Sequence, residues 1–429
     1  MPTLDIDRIR ASFPSLAVTD DGRRRVYFDN PGGTQVPQQV IDRITDCLIR
    51  ANANLGGSFA SSVAAGELVK EAHRAMADFV GASSADEIVF GQNMTTLTFH
   101  LSRSLALTVE PGDEIVVTRM DHDANISPWL LLARDRGAAL RWMDFDTGRF
   151  EFDLAGLRSI LGPKTKIVAF NYASNATGTI NDIPGVAALV RELAPQALVY
   201  VDAVQYAPHG LIDVRKLGCD FLVCSPYKFF GPHQGVLWGR ESVLTALQPY
   251  KVRPAEDALP YRFETGTLSH EGMAGTLGAI EYFVWVGETF GPKLTPVAGE
   301  SARRRALRAA WDVMLPYENA LTLRLIEGLK RLPGIRILGI TDPASVTRRV
   351  PTVSFVHERL SPQELERILA QAGIFVWEGH NFAVEVMRSL GLIEKGSALR
   401  VGLAHYNTPE EVDFFLETLR AALLANRIA

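Results

Sequence analysis

A lysine set among aromatics at the end of an apolar run is the most reactive arrangement in this chain. Lys228 follows Phe221 to Cys224, Ser225, Pro226 and Tyr227, and Phe229, Phe230, Gly231 and Pro232 come directly after it. Buried in such a place the ammonium form is disfavoured, and a free amine is able to attack a carbonyl carbon. Taken alone, the segment reads equally well as a lysine snorkelling from a strand end into solvent.

The stretch LVYVDAVQYAP (198–208) separates the two readings: a second apolar run ends in Asp202, with Gln205 three residues on. A buried carboxylate needs a cationic partner. The protonated ring nitrogen of pyridoxal phosphate is one, and a ring so paired becomes an electron sink. A lysine for a Schiff base and a carboxylate for the pyridinium are the two groups this cofactor most requires of a protein.

Three more segments follow apolar runs in the same way. GQNMTTLT (91–98) opens a helix, where Met94 and Thr95 offer amides and a hydroxyl to a phosphate. Ordinary N-capping by Asn93 or Thr95 is the alternative. RMDHDANISPW (119–129) carries His122, suited to stacking on a flat ring or to capping. NYASNATGTI (171–180) carries Asn175 and Gly178, and the Asn175 amide suits a phenolate oxygen or a plain turn. Each signal is weak alone; at successive strand ends they converge on one cofactor site.

The elements that must position these residues alternate. Strand-like runs at 87–90, 114–118, 140–145, 166–172, 198–202, 221–225 and 235–239 are separated by helical patterns, among them 95–107, 124–136 and 184–194. This predicts an α/β fold with a mostly parallel seven-stranded sheet covered on both faces. Upstream lie helices at 4–13, 36–52 and about 60–80, the last ending at Gly81. A strand at 26–29 enters the turn Pro31-Gly32-Gly33, and 54–58 reads as a flexible stretch.

Around 285–300 the pattern changes. A long helical region (302–331) interrupted at Pro316 precedes strands at 335–339, 352–357, 373–377 and 399–405, with helices at 362–372 and 409–425. We therefore expect a large cofactor-binding domain at 20–290 and a smaller C-terminal α+β domain at 291–429, with segment 1–19 packing on the latter.

Composition narrows the function classes. The 44 basic and 49 acidic residues give a net charge of −5, and the short runs Arg23–Arg25 and Arg303–Arg305 are solvated faces rather than a nucleic-acid surface. No run of about 18 apolar residues suits a membrane span. MPTLDIDRIRASF lacks the pattern of a signal peptide. Cys47, Cys219 and Cys224 are too few and too unevenly spaced for a disulfide framework or a zinc site, so a reduced, cytoplasmic protein without a metal is expected.

With these motifs assembled, the chain resembles class V aminotransferases of pyridoxal phosphate fold type I, and most closely the group of cysteine desulfurases, selenocysteine lyases and isopenicillin N epimerase. The resemblance runs through YFDNPGG (27–33), DHDANISPW, SNATGT, VDAVQ, SPYKFFGP, RFETGT (262–267) and LRVGLAHYNTPEEVD (399–413). It implies that Lys228 forms the Schiff base and moves protons at Cα, that Asp202 pairs with the ring nitrogen, and that His122 stacks on the ring. Asn175 and Gln205 would flank the phenolic oxygen, and Met94, Thr95 and Ser225 would hold the phosphate. Thr267 would reach the site of a neighbouring subunit, which implies a homodimer, and Arg400 would clamp the substrate α-carboxylate.

Departures from that family also carry information. Phe382 stands where desulfurases carry the loop cysteine that accepts sulfur, and Trp377 where many members carry a second arginine. Tyr227 replaces the histidine before the lysine, and Gly56 lies where a histidine approaches the substrate. A persulfide relay through a protein thiol is not expected. The leading expectation is a carbon–sulfur β-lyase-like reaction on a cysteine-derived amino acid, with Gly56, Gly57 and Trp377 admitting and covering a bulkier S-substituent. Transamination, epimerisation or decarboxylation at Cα is the alternative, and a non-catalytic partner protein the lesser one. His380 is a candidate loop acid or a surface histidine.

Overall fold

A computed structural model describes residues 4–425; the ends of the expected N-terminal segment (1–3) and C-terminal domain (426–429) lie outside the described residues. Its centre is a seven-stranded sheet of β1 (Ile88–Gly91), β2 (Glu114–Thr118), β3 (Ala139–Met143), β4 (Thr165–Asn171), β5 (Leu198–Asp202), β6 (Phe221–Cys224) and β7 (Gly235–Gly239). The spatial order is β1-β7-β6-β5-β4-β2-β3.

Neighbours from β6 through β5, β4 and β2 to β3 are parallel. β7 runs antiparallel to both β6 and β1. The reversal follows from chain length. A parallel partner needs a crossover of about a dozen residues or more, and the short segment 225–234 instead makes one turn that holds Lys228 at the strand ends.

The central strands are apolar on both sides because both sides are covered. Val168, Phe170, Val199, Val201, Leu222 and Cys224 join a core with helices Ala60–Val80, Ile183–Leu193 and His270–Phe290. The alternate residues Ile167, Ala169, Tyr200, Phe221 and Val223 face a second core with helices Met94–Ala106 and Ser127–Arg136. Cys47, Cys219 and Cys224 are free and buried. Burial pushes the Cys219 thiol up to about 12, so these cysteines serve as core residues.

A second, antiparallel sheet contains β8 (Ile335–Leu338), β9 (Thr352–His357), β10 (Trp377–Gly379) and β11 (Ala398–Gly402), ordered β8-β9-β11-β10. The expected strand at 373–377 is two pieces. Ile374–Phe375 pairs in parallel with Val26–Tyr27, and β10 begins after it at Trp377. Helix Ala302–Lys330 also differs from expectation: it continues through Pro316. Pro316 and Asp312 are exposed, so the Asp312 carbonyl that lacks a donor lies on the exposed side of the helix.

The N-terminal segment touches more than one region. Arg10 donates to the Tyr406 carbonyl at 2.7 Å and pairs with Glu411 at 2.8 Å. The Phe13 ring meets Tyr406 at 4.8 Å, Tyr282 at 5.1 Å and Phe230 at 5.7 Å, so it also enters the core of the large sheet.

Candidate active site

One cavity of about 910 Å³ opens beyond the carboxyl ends of β2, β4, β5 and β6, bounded on its other side by β10 and β11. Lys228, Asp202, Gln205 and Tyr227 line it from the large sheet. Met94 and Thr95 reach it from a helix N-terminus that Asn93 caps by accepting from the Thr96 amide at 2.8 Å. His122 and Asn175 come from the loops after β2 and β4, and Trp377, His380 and Arg400 from the second sheet and the loop after β10.

Two of the expected residues stand apart. Ser225 is buried with its hydroxyl unpartnered but is not on the cavity lining. Thr267 is exposed and is not on the cavity lining. Gly56 and Gly57 are likewise not on the lining, and loop 54–58 lies largely exposed.

The amine at the centre is desolvated. Burial, followed by the charge of Arg400, lowers Lys228 to about 7, against the opposing pull of Asp29 and Asp202. Its Nζ donates to the Pro31 carbonyl and lies 4.7 Å from the centre of the Tyr227 ring. Tyr227 in turn stacks on His233 at 5.0 Å. Burial raises Asp202 to about 6, while the Val204 amide (2.9 Å) and Lys228 pull the other way. A carboxylate so placed is stabilised by a cation brought to it.

His122 is held neutral: burial, then the charges of Lys228 and Arg400, push it down to about 3. Its Nδ1 accepts from the Ala124 amide at 3.0 Å, and the ring stacks on Phe382 at 5.2 Å. Arg400 sits on β11 opposite both Ser354 and Trp377. It donates to the Asn175 carbonyl and to Asp29 Oδ1, each at 3.3 Å, while its buried Nε has no partner. Gln205 donates to Thr352 Oγ1 at 2.9 Å, and Asn175 Nδ2 donates to the Asn381 carbonyl at 2.7 Å.

Side-chain oxygens of Gln205 and Asn175, both on the lining, are buried without partners. Such atoms are destabilising unless a ligand satisfies them. An amine, a ring-nitrogen carboxylate, polar flanks and an open helix N-terminus together fit pyridoxal phosphate. Asp29, Asp123 and Asn381 also line the cavity and were not singled out from sequence. Asp29 carried a signal as the one acid inside YFDNPGG, and Asp123 as the neighbour of His122 in DHDANISPW.

Fold and site thus define a doubly covered α/β enzyme whose chemistry is built on one desolvated lysine. The family model of class V aminotransferases matches residues 26–289 and 304–415, and the chain belongs to that family of pyridoxal-phosphate-dependent enzymes. Among its relatives, an aminotransferase-like protein, FGM3, of Gibberella zeae is 37% identical over 98% of this chain and 99% of its own length. A probable cysteine desulfurase of Streptomyces coelicolor is 32% identical over 97% and 96%. In structure the chain is similar to an apo cysteine desulfurase from Thermococcus onnurineus NA1, with a TM-score of 0.84 at 26% identity over 99% of this chain and 100% of that one.

Proposed function

We propose that this protein eliminates a thiol from a cysteine-derived amino acid at a pyridoxal phosphate site. When bound, the cofactor supplies an electron sink for charge developing at the substrate Cα. Lys228 would hold it covalently until a substrate amine takes that place, Asp202 would pair with its ring nitrogen, and His122 would stack on its ring. Asn175 and Gln205 flank its phenolic oxygen, and Met94, Thr95 and Ser225 serve its phosphate.

Arg400 binds the substrate α-carboxylate, and its unpartnered buried Nε supports that role. Neutral Lys228 Nζ takes the Cα proton. The Cβ–S bond breaks, the sulfur leaves with the bonding pair and takes up the proton that Lys228 removed from Cα, and water hydrolyses the three-carbon remainder to pyruvate and ammonia.

One observation carries this reading: a desolvated lysine, a buried aspartate and a buried arginine share one cavity whose lining holds Phe382 and none of the three cysteines. A relay of sulfur through a protein thiol has no acceptor there. Release of pyruvate, ammonia and thiol from S-substituted cysteines by the cofactor-loaded protein tests it; no turnover with any of them sinks it. Transamination is the second reading, favoured by the full-length likeness to an aminotransferase-like protein. It would appear as turnover that requires a keto acid.

The proposal extends to one domain around each sheet, split near residue 290, and to a homodimer in which Thr267 serves the neighbouring site. Leu48, Ile49, Leu55, Phe59 and Val63 are exposed within one short stretch, which supports a covered face. A cytoplasmic location is proposed on the free, buried thiols. Among the described residues no helix is long and apolar enough to cross a membrane.

A further inference from the structure

We propose that the outer part of the cavity recognises a flat aromatic group, so that the substrate is an amino acid with an aryl-bearing side chain, such as an aryl or benzyl thioether of cysteine. This deepens, and rests on, the reading of the cavity as an amino-acid site.

Phe382 and Trp377 line the cavity yet are 64% and 60% exposed. Large apolar rings left in water are destabilising until something covers them. The Phe382 ring cannot fold away, because its backbone is pinned. Asn381 and Phe382 adopt φ of +50° and +57°, a region that residues with side chains seldom occupy. Such a conformation persists only where the surroundings impose it, and such places cluster at functional sites.

The bonds that impose it come from both sides. The Phe382 carbonyl accepts from the Asp123 amide at 2.8 Å, and its own amide donates to His380 Nδ1 at 3.0 Å. The Asn381 carbonyl accepts from Asn175 Nδ2 at 2.7 Å. Stacking on His122, with interplanar angle 22°, and an edge contact to His380 at 6.0 Å then fix the ring. A rigid aromatic presented at a cavity wall is prepared for an apolar, planar partner.

Position agrees with this assignment. Trp377 lies directly across the strand pair from Arg400, so the two side chains share a face of the sheet. An amino acid with its carboxylate at Arg400 has its side chain within reach of that indole. Phe99 supplies a third ring to the lining. Asp123, whose amide holds the Phe382 carbonyl, is itself engaged, accepting the Ser127 hydroxyl at 2.6 Å.

The test uses the cofactor-loaded protein and two ligand sets, read by the change in cofactor absorbance on binding. Phenylalanine, norleucine and alanine have no leaving group and report recognition alone; S-benzylcysteine and S-methylcysteine report turnover as well. Phenylalanine is expected to bind at least about tenfold more tightly than alanine or norleucine, the scale of one good apolar contact. Phe382→Ala is expected to cut that ratio, and the benzyl-to-methyl ratio of kcat/KM, by about tenfold, and Phe382→Trp to restore most of both. Norleucine binding as well as phenylalanine overturns the aromatic assignment in favour of an aliphatic tail. A ratio unmoved by Phe382→Ala and by Trp377→Ala overturns it too. Preference for phenylalanine without thiol release refutes the elimination reading alone, whereas no binding of any amino acid refutes both.

Discussion

Lys228 carries a free-energy consequence that is measurable without cofactor. Its folded pKa of about 7 lies below the ordinary lysine value, so between about pH 7 and 10.5 the unfolded chain binds more protons than the folded one. Stability of the cofactor-free protein therefore rises with pH through that window. Lys228→Met removes the buried amine and is expected to stabilise the cofactor-free protein by about 4–5 kcal/mol at pH 6.5, with the gain down to about 1 kcal/mol by pH 10. Urea melts at the two pH values check this, and a gain independent of pH would refute the desolvated amine. In the loaded protein the same substitution is expected to lower turnover by at least about a thousandfold. Arg400→Lys, which exchanges a planar fork for a point charge, is expected to raise KM about tenfold to a hundredfold with a smaller change in kcat. Twelve of the residues singled out from sequence line the cavity, most of them because strand ends are readable from apolar runs and ligands in such sheets gather there. Asp29 was passed over because its partner, Arg400, comes from the far end of the chain, and no local pattern announces that meeting.

Elements were legible where periodicity alone decides them. β5 and β7 match their expected ranges residue for residue, and helix Ala60–Val80 ends at Gly81, whose φ of +71° suits a helix stop. Where long-range packing decides, the sequence was silent or misleading. The direction of β7 and the unbroken helix through Pro316 depend on loop length and on which side meets water. The close approach of helix His270–Phe290 to helix Ala302–Lys330 belongs to the same class. A Cβ on Gly287 would lie 1.9 Å from the Ala306 carbonyl oxygen, backbone that cannot give. Gly287→Ala is expected to destabilise the protein by about 2–3 kcal/mol through overpacking, seen as a lower melting temperature, although residue 287 does not line the cavity.

Across the whole molecule, a buried carboxylate ties distant segments together. Glu318 meets His209 Nδ1 at 2.9 Å and His405 Nδ1 at 3.5 Å, the latter an ion-pair rather than a hydrogen-bond distance, and Tyr282 meets the other nitrogen of His405 at 2.6 Å. Burial opposes ionisation, yet His209 and His405 hold Glu318 down at about 2. A carboxylate lowered in the folded state stabilises above its unfolded pKa of about 4.5 and loses that contribution as pH falls towards 2. Glu318→Gln is expected to cost about 3 kcal/mol at pH 7 and less at pH 3.5, measured by chemical denaturation. At the same scale, light scattering on the purified protein is expected to give twice the chain mass; a monomer that still turns over substrate would remove Thr267 from the site.

Arg400 and Trp377 ride on one sheet while Lys228 and Asp202 ride on the other. A small molecule gripped at both ends is thus a clasp across the joint, tightening the very seam it enters. Loading should slow amide hydrogen exchange along residues 400–407, with the longest-held protons found under the best-fitting side chain.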